Sequence, residues 1–226
     1  MRLLDIGCGP GSITIDLADR VGAAVGIDAS EEAITKAREL SAGRSDVRFQ
    51  VADVYQLPFA DESFDVVFAH QVLQHLSDPV AALVEARRVL APGGLVAARD
   101  ADYGTMVHDP HEPRIDRWHA LYDAVARRDG GEPNAGRKLV SWFVEAGFEG
   151  LTVTTSTWTY GDSAGVAPWV DLWVSRLTQA RLGDMAVEYG LADRDELADL
   201  AAGWRSWGSN PHAFFAFLHG EVIGRV

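Results

Sequence analysis

The sequence predicts an α/β protein whose sheet is mostly parallel and carries helices on both faces. Three observations lead to this fold class. Short apolar runs alternate with amphipathic segments through the first half of the chain, a glycine-rich turn follows the first run, and acidic or polar residues follow several later runs. Such alternation is typical of β-α-β units, in which ligands bind at the carboxyl ends of the strands.

Each element of the first half has a local signal. An apolar run closed by Gly7 predicts the first strand, Ser30 is a good helix N-cap, and Ser77 with Pro79 predicts the start of a later helix. The turn Pro92-Gly93-Gly94 should end that helix. The predicted strands are residues 1–6, 23–28, 47–53, 64–70 and 95–98, and the first helix is residues 12–20.

The second half of the chain is less regular. Residues 102–134 contain turn formers around an amphipathic piece, 115–128, and we interpret them as an insertion that covers the site. Residues 214–226 predict a closing strand pair or one bent strand. The other predicted elements are helices at 136–146, 168–182 and 193–207 and a strand at 151–158.

The charge balance limits the partners of the chain. Its formal net charge is −13, and no run of Lys or Arg offsets this locally, which argues against a nucleic-acid partner or an anionic membrane surface. No apolar run reaches the length that a membrane span needs. The single cysteine, Cys8, excludes an intramolecular disulfide and fits a cytoplasmic location.

The glycine-rich turn lies between the first strand and the first helix, with glycines at Gly7, Gly9 and Gly11. Glycine allows a sharp turn and lets a ligand lie against bare backbone, while the following helix presents free N–H groups to an anion. Dinucleotide sites use the spacing G-x-G-x-x-G. Here the spacing is tighter and Ser12 follows, which departs from the dinucleotide pattern.

Two acidic residues follow the second and third strands. Asp28 can accept hydrogen bonds from both ribose hydroxyls of an adenosine-type cofactor, and the alternative is a helix-capping role. Asp53 can accept from an adenine amino group, and the alternative is an Asx-turn.

Histidines are the remaining candidates for chemistry. The fourth strand delivers His70 and Gln71 to the edge of the sheet, and His75 lies one helical turn beyond Gln71. A structural role is the alternative for each histidine. We predict no metal site, because His108 and His111 are separated by Pro110 and no third ligand is apparent.

Taken in order, these motifs resemble the class I S-adenosylmethionine-dependent methyltransferases, most closely the ubiquinone/menaquinone-biosynthesis type. The matching stretches are Leu4 to Gly11 as the cofactor loop, Asp28 as the ribose acid, Asp53-Val54 as the adenine site, Phe64 to Val67 as the fourth-strand motif and Arg88 to Gly94 as the turn into strand five. The resemblance covers about residues 2–100. It implies cofactor contacts by Asp5, Gly7, Gly9, Gly11, Asp28, Ala29, Asp53, Val54, His70 and Gln71.

The resemblance also implies the architecture. We expect a Rossmann-like sheet with an antiparallel last strand in a single methyltransferase domain, residues 1–226. Residues 1–100 form the cofactor-binding half, 101–135 and 164–208 are insertion or lid elements, and 136–163 and 209–226 complete the sheet. Family members usually have a helical segment before the first strand, whereas this sequence begins in that strand. Either a leading segment is absent from this numbering, or the cofactor pocket is unusually open and we expect other elements to cover it.

The implied reaction transfers a methyl group from S-adenosylmethionine to a small-molecule acceptor. A general base is needed only where the acceptor loses a proton. The candidates for catalysis are His70, His75 and Tyr103, with Asp100, Asp102 and His108 as further possible bases. Trp169 and Trp173 lie one helical turn apart. We expect them to form, with Tyr103, an aromatic pocket for an apolar or planar acceptor; core packing is the alternative.

Two other functions remain compatible with the sequence. One is a module that binds the cofactor without catalysis. The other is a nicotinamide-dependent oxidoreductase on a similar sheet, against which the glycine spacing counts.

Overall fold

A computed structural model describes residues 1–226 as a seven-stranded sheet with eight α-helices. The strands are β1 (Arg2–Ile6), β2 (Ala23–Asp28), β3 (Val47–Val51), β4 (Phe64–His70), β5 (Leu90–Asp109), β6 (Glu149–Tyr160) and β7 (Phe214–Arg225). The helices are α1 (Ser12–Val21), α2 (Glu31–Leu40), α3 (Pro79–Val89), α4 (Pro113–Arg128), α5 (Leu139–Glu145), α6 (Ser163–Thr178), α7 (Arg181–Glu188) and α8 (Arg194–Gly208). Short 3₁₀ turns lie at Leu73–His75 and Ala135–Lys138.

The strand order is β3-β2-β1-β4-β5-β7-β6, and the predicted fold class is confirmed. The pairs β1–β2, β1–β4, β2–β3 and β4–β5 are all parallel, and one end of the sheet is antiparallel. Leu4 is in register with Val25 on one side and Val67 on the other. β2 and β3 lie on one side of β1, and β4 and β5 lie on its other side. The strand order therefore reverses between β1 and β4.

Local capping explains where several helices begin. The Ser30 side chain accepts a hydrogen bond from the Ala33 N–H at 3.2 Å, as predicted for α2. At α3 the cap is Asp78, which accepts from the Ala81 N–H at 2.9 Å, and not Ser77. An aspartate next to Pro79 can satisfy the orphan donors of the first turn, so the predicted start shifts by one residue.

Two parts of the second half differ from the prediction. β5 extends through Asp109, so the predicted insertion begins inside a strand. Arg99 and Asp100 interrupt the apolar run, so the pattern of apolar residues did not predict that the strand continues. The short helix α7 was not predicted. Residues 214–225 form one strand, which is one of the two arrangements that the sequence predicts.

The chain divides into two compact units. Unit 1 comprises Met1–Asp100, Ala135–Thr155 and Gly220–Val226, and unit 2 comprises Ala101–Asn134 and Ser156–His219. Residues 1–100 lie in unit 1, and the C-terminal end of β6 and the N-terminal end of β7 lie in unit 2. The description as a single methyltransferase domain stays a prediction.

The core of unit 1 follows the pleat of its strands. Leu3 packs in a cluster with Ile34 of α2, whereas its neighbour Leu4 packs in a separate cluster with Leu83 of α3 and Phe143 of α5. Successive side chains of a strand point to opposite faces, so helices cover both faces of this part of the sheet.

The core of unit 2 is dominated by aromatic rings. Trp118, Trp173 and Trp204 are fully buried. The Trp118 ring centroid lies 4.3 Å from that of Trp173 and 4.8 Å from that of Trp204, both in edge-to-face arrangements. Edge-to-face packing matches the positive edge of one ring to the negative face of another.

The predicted acceptor pocket falls inside this core. The Trp169 and Trp173 rings contact each other at 5.6 Å, and Tyr103 lies 6.1 Å from Trp173, so the three residues do come together. Their exposed fractions are 4% or less, however. Such burial supports core packing, the alternative that the sequence left open.

None of the helices combines the length and the apolar character needed to cross a bilayer.

We expect Trp173→Ala to lower the free energy of unfolding by about 3–5 kcal/mol, because the substitution leaves a large cavity in a packed core. Leu172→Ala on the same helix should cost about 1 kcal/mol or less, since Leu172 is 38% exposed. Urea denaturation of both variants measures the difference. Equal losses in the two variants would mean that Trp173 is not a core residue.

Candidate functional site

The three glycines of the turn after β1 have different surroundings. All three have positive φ: +67° at Gly7, +53° at Gly9 and +82° at Gly11. A side chain at Gly7 would collide with Val72, and one at Gly11 would lie 2.6 Å from the Phe49 ring. A side chain at Gly9 would meet no atom within 4 Å. Gly9 therefore borders open space, whereas the other two glycines are required by packing.

The first turn of α1 leaves its backbone donors available. The N-cap is Gly11, which provides no side-chain acceptor, and no acidic residue lies in the first turn. Free N–H groups at a helix N-terminus attract a carboxylate or a phosphate. This end of α1 can therefore hold an anionic group.

Asp28 connects the glycine turn to the start of α2. Its Oδ2 accepts a hydrogen bond from the Gly9 N–H at 2.9 Å, and its Oδ1 accepts from the Ser30 N–H at 2.9 Å. Each carboxylate oxygen has a further lone pair for a ligand hydroxyl. The capping and ligand-binding interpretations of Asp28 are thus compatible.

Asp53 forms the Asx-turn that we considered as the alternative to adenine binding. Its Oδ1 accepts from the Tyr55 N–H at 2.9 Å. The Tyr55 hydroxyl lies 3.2 Å from the Ser77 Oγ and accepts from the Asp78 N–H at 3.1 Å. These contacts fix the turn, and one carboxylate oxygen of Asp53 remains for another donor.

A cleft of about 350 Å³ lies beyond the carboxyl ends of β1, β2, β3 and β4. Its volume is in the range of small-molecule sites. The predicted site residues that line it are Gly7, Asp28, Ala29, Asp53, Val54, Gln71 and His75. No Lys or Arg lines it, so the two aspartates set the charge of its wall.

Sequence reasoning missed other residues of the cleft, chiefly Tyr55, Val72 and Leu76. Tyr55 lies two residues after Asp53, and the other two belong to the segment after β4 that carries Gln71 and His75. Adjacency to the predicted acids was the only signal available, because apolar loop residues have no distinctive pattern.

Asp5 supports the glycine turn from behind. It is only 2% exposed and does not line the cleft; its Oδ2 accepts from the Thr14 hydroxyl at 2.5 Å. Burial raises the pKa of Asp5 to about 7. Asp5 therefore connects β1 to α1 and positions the turn.

His70 lies on the face of β4 next to Phe68, with the two rings parallel and 6.2 Å apart. It is not among the residues that line the cleft. The following residue, Gln71, has a φ of +56° and does line the cleft. Burial, and secondarily the charge of Arg99, lower the pKa of His70.

His75 lines the cleft at the end of a 3₁₀ turn. The Gln74 Nε2 lies 3.2 Å from the His75 Nε2 and donates to the Gln71 Oε1 at 3.3 Å. Gln71 and His75 thus contact the same amide, which is consistent with the predicted shared face.

Asp100 holds this segment in place from below. It is fully buried, and its Oδ1 accepts from the Gln74 N–H at 3.1 Å. Burial raises the pKa of Asp100 to about 7, although hydrogen bonds from backbone N–H groups of the segment oppose the increase. The wall of the cleft that contains Gln71 and His75 thus depends on a buried carboxyl group.

Tyr103 lies in unit 2, within the aromatic core. Its ring stacks on Phe217 with centroids 5.0 Å apart and lies 4.6 Å from Tyr122. Burial raises the pKa of Tyr103 well above its usual value, so the phenol stays protonated and is unsuited to act as a base.

Comparison with known proteins identifies the family. A family model described as a methyltransferase domain matches residues 4–98. An uncharacterised methyltransferase of Schizosaccharomyces pombe is 34% identical over 239 aligned positions, which cover 98% of this chain and 83% of that protein. The chain belongs to the class I S-adenosylmethionine-dependent methyltransferases.

Two further similarities are to proteins that this chain matches over only about half of their length. A demethylmenaquinone methyltransferase of Staphylococcus aureus is 36% identical over 125 positions, covering 54% of this chain and 49% of that protein. The chain therefore matches only about half of that protein's length. Phosphoethanolamine N-methyltransferase 2 of Haemonchus contortus, solved with S-adenosylhomocysteine, has the same fold with a TM-score of 0.60, 20% identity and coverage of 100% of this chain and 49% of that one.

The raised pKa of Asp5 predicts a pH dependence of stability. Its value is about 7 in the folded chain and 3.8 for an unperturbed carboxyl. The folded state therefore binds the proton more tightly, and this stabilisation is complete below about pH 4 and is lost as the pH rises to about 7. Each group of this kind contributes a slope of up to about 1.4 kcal/mol per pH unit.

Asp5→Asn should reduce the fall in unfolding free energy between pH 5 and pH 8. Urea denaturation across that range measures the unfolding free energy at each pH. Part of its pH dependence should remain in this variant, because the pKa of Asp100 is raised in the same way. Asp16→Asn, an exposed carboxyl on α1, is the control for the loss of one charge. An identical slope in Asp5→Asn and the unmodified chain would contradict the burial effect.

Proposed function

We propose that this chain binds S-adenosyl-L-methionine in the cleft and transfers its methyl group to a small-molecule acceptor. The observation that carries the proposal is the convergence of the glycine turn, Asp28 and Asp53 on one space at the carboxyl ends of adjacent parallel strands. Ligands bind at this position in open α/β sheets.

Each end of the cofactor has candidate partners in this arrangement. Asp28 would accept from the ribose hydroxyls, and Asp53 with Val54 would form the adenine site. The open face of Gly9 and the free N–H groups of α1 would accommodate the methionine end, whose carboxylate suits a helix N-terminus. The family membership supports the same assignment.

The charge of the cleft favours this cofactor over a dinucleotide. S-adenosylmethionine carries a positive sulfonium, which an acidic wall attracts, whereas a dinucleotide carries a pyrophosphate that Asp28 and Asp53 would repel. The absence of Lys and Arg from the cleft wall thus argues against the nicotinamide alternative.

The cofactor supplies the methyl group and its own leaving group, so the chain mainly binds and orients the reactants and excludes water. Orientation alone can contribute about 7–11 kcal/mol to such a reaction. Among the predicted catalytic residues, His75 is the one that lines the cleft, and we assign it the role of proton acceptor where the acceptor group must lose a proton. His70 and Tyr103 are less suited because of their placement.

The acceptor is assigned only as a class. A partial relative acts on demethylmenaquinone according to its name, which supports an apolar or aromatic acceptor. A reducing, cytoplasmic location remains part of the proposal, because the single cysteine, Cys8, forms no disulfide.

Gly9→Val should abolish binding of S-adenosylhomocysteine in calorimetry while the chain stays folded, because the new side chain would occupy ligand space. Transfer of labelled methyl from S-adenosylmethionine to extracted metabolites should be lost in parallel. Gly43→Val is a matched control, since Gly43 also has positive φ and open space but lies in the loop after α2. Near-normal affinity in a folded Gly9→Val variant would remove the main support for this site, and binding without any transfer by the unmodified chain would favour the non-catalytic module.

Asp28→Ala should weaken cofactor binding by roughly 1.5–3 kcal/mol, the worth of a charge-assisted hydrogen bond. Because Asp28 also holds backbone groups, a ligand comparison is needed to isolate the ribose contact. The 2′-deoxy analogue of S-adenosylhomocysteine should bind the unmodified chain more weakly than the parent ligand and should show little difference with Asp28→Ala. Equal discrimination by both proteins would reduce Asp28 to a backbone cap.

A further inference from the structure

Three potential metal ligands converge where β5 ends and α4 begins, in unit 2. His108 belongs to β5, His111 to the connecting turn and Asp116 to the first turn of α4. The His108 Nε2 lies 3.8 Å from the Asp116 Oδ1, and the His111 Nδ1 lies 3.5 Å from the Asp116 Oδ2. One ligand atom from each residue lies within 4.8 Å of the others.

The sequence alone argued against a metal here, because two histidines on either side of Pro110 lacked a third ligand. Asp116 supplies it, since α4 begins directly after the turn and directs its first-turn carboxylate toward both imidazoles. Imidazole and carboxylate together suit divalent zinc, cobalt and nickel.

One of the three side chains is buried and the other two are exposed. The His108 side chain is only 7% exposed, which fixes its ring, whereas His111 and Asp116 are 70% and 53% exposed and free to rotate. Ligands around tetrahedral zinc lie about 3.3 Å apart, given metal–ligand distances near 2.0–2.1 Å. Small rotations of the two exposed side chains would therefore bring the set into coordination distance.

The hydrogen bond of His108 identifies the nitrogen that is available. Its Nε2 accepts from the Glu112 N–H at 3.2 Å, so this nitrogen carries the electron pair and not the proton. A metal would take the same electron pair in place of one long hydrogen bond. The N–H of Glu112, at the start of α4, would then lose this hydrogen bond.

The surrounding charge favours a cation. The nearby guanidinium of Arg114 is held by Glu112 at 2.8 Å and faces Asp199 at 3.5 Å, so its charge is already paired. Asp116 faces the two imidazoles instead of this guanidinium.

We propose that His108, His111 and Asp116 bind one divalent transition-metal ion, with water in the remaining coordination position. The ion would connect the end of β5 to the first turn of α4. The ion would have a structural role, and none of its three ligands is a residue that we assign to the cofactor.

The test uses the full chain without a histidine tag, stripped with a chelator and then titrated with Zn²⁺ alone. We expect one ion per chain by calorimetry and a rise in melting temperature that grows with Zn²⁺ concentration, because a ligand that binds only the folded state stabilises it. Absence of 1:1 binding by the unmodified chain would overturn the proposal. No S-adenosylmethionine is present, so the result is independent of the proposed function.

His111→Ala and Asp116→Asn should each weaken Zn²⁺ binding at least tenfold. Both residues are exposed, so these variants should fold normally, whereas the buried His108 also caps the turn and is a poorer test. His212→Ala removes an exposed histidine elsewhere in unit 2 and should leave the affinity unchanged. Equal affinity in all three variants would show that Zn²⁺ binds elsewhere and would overturn the assignment.

Discussion

The parallel pairing of β1 with both β2 and β4 is the constraint on which the candidate site depends. Because these strands run in the same direction, their carboxyl ends meet at one edge, and the segments that leave them surround one cleft. The glycine turn, Asp28 and Gln71 lie far apart in sequence and reach the same space only through this register. At the end of β4, Gln71 lines the cleft and its neighbour His70 does not, and the backbone leaves the extended conformation at Gln71.

Two buried carboxyl groups support the cleft without lining it. Asp5 holds the helix that follows the glycine turn, and Asp100 holds the segment that carries His75. Burial of a carboxyl group disfavours its charged form, which is why both pKa values rise to about 7. These two carboxyl groups thus lower the free energy of unfolding near neutral pH, and they also accept the hydrogen bonds that orient the walls of the cleft.

The tryptophans of unit 2 show that one sequence pattern is compatible with two structural roles. Its tryptophans satisfy the same helical spacing that an aromatic ligand pocket would need, yet burial of several large rings against one another is itself a strong source of stability. Only the exposed fraction of each ring separates the two interpretations. The histidines before α4 show the reverse case, because a set that looked incomplete along the chain gained its third ligand from the next helix.

The sequence by itself determined the fold class, the β-α order of the first hundred residues and most of the cleft, because periodicity, caps and glycines act over a few residues. The same local signals predicted Asp28, Asp53 and Gln71 as cleft residues. Only the tertiary structure decided that β5 continues to Asp109, that Tyr103 is buried, that His75 and not His70 lines the cleft, and that Asp116 approaches His108 and His111. These outcomes depend on strand register and on contacts between distant segments, which no local pattern of residues encodes.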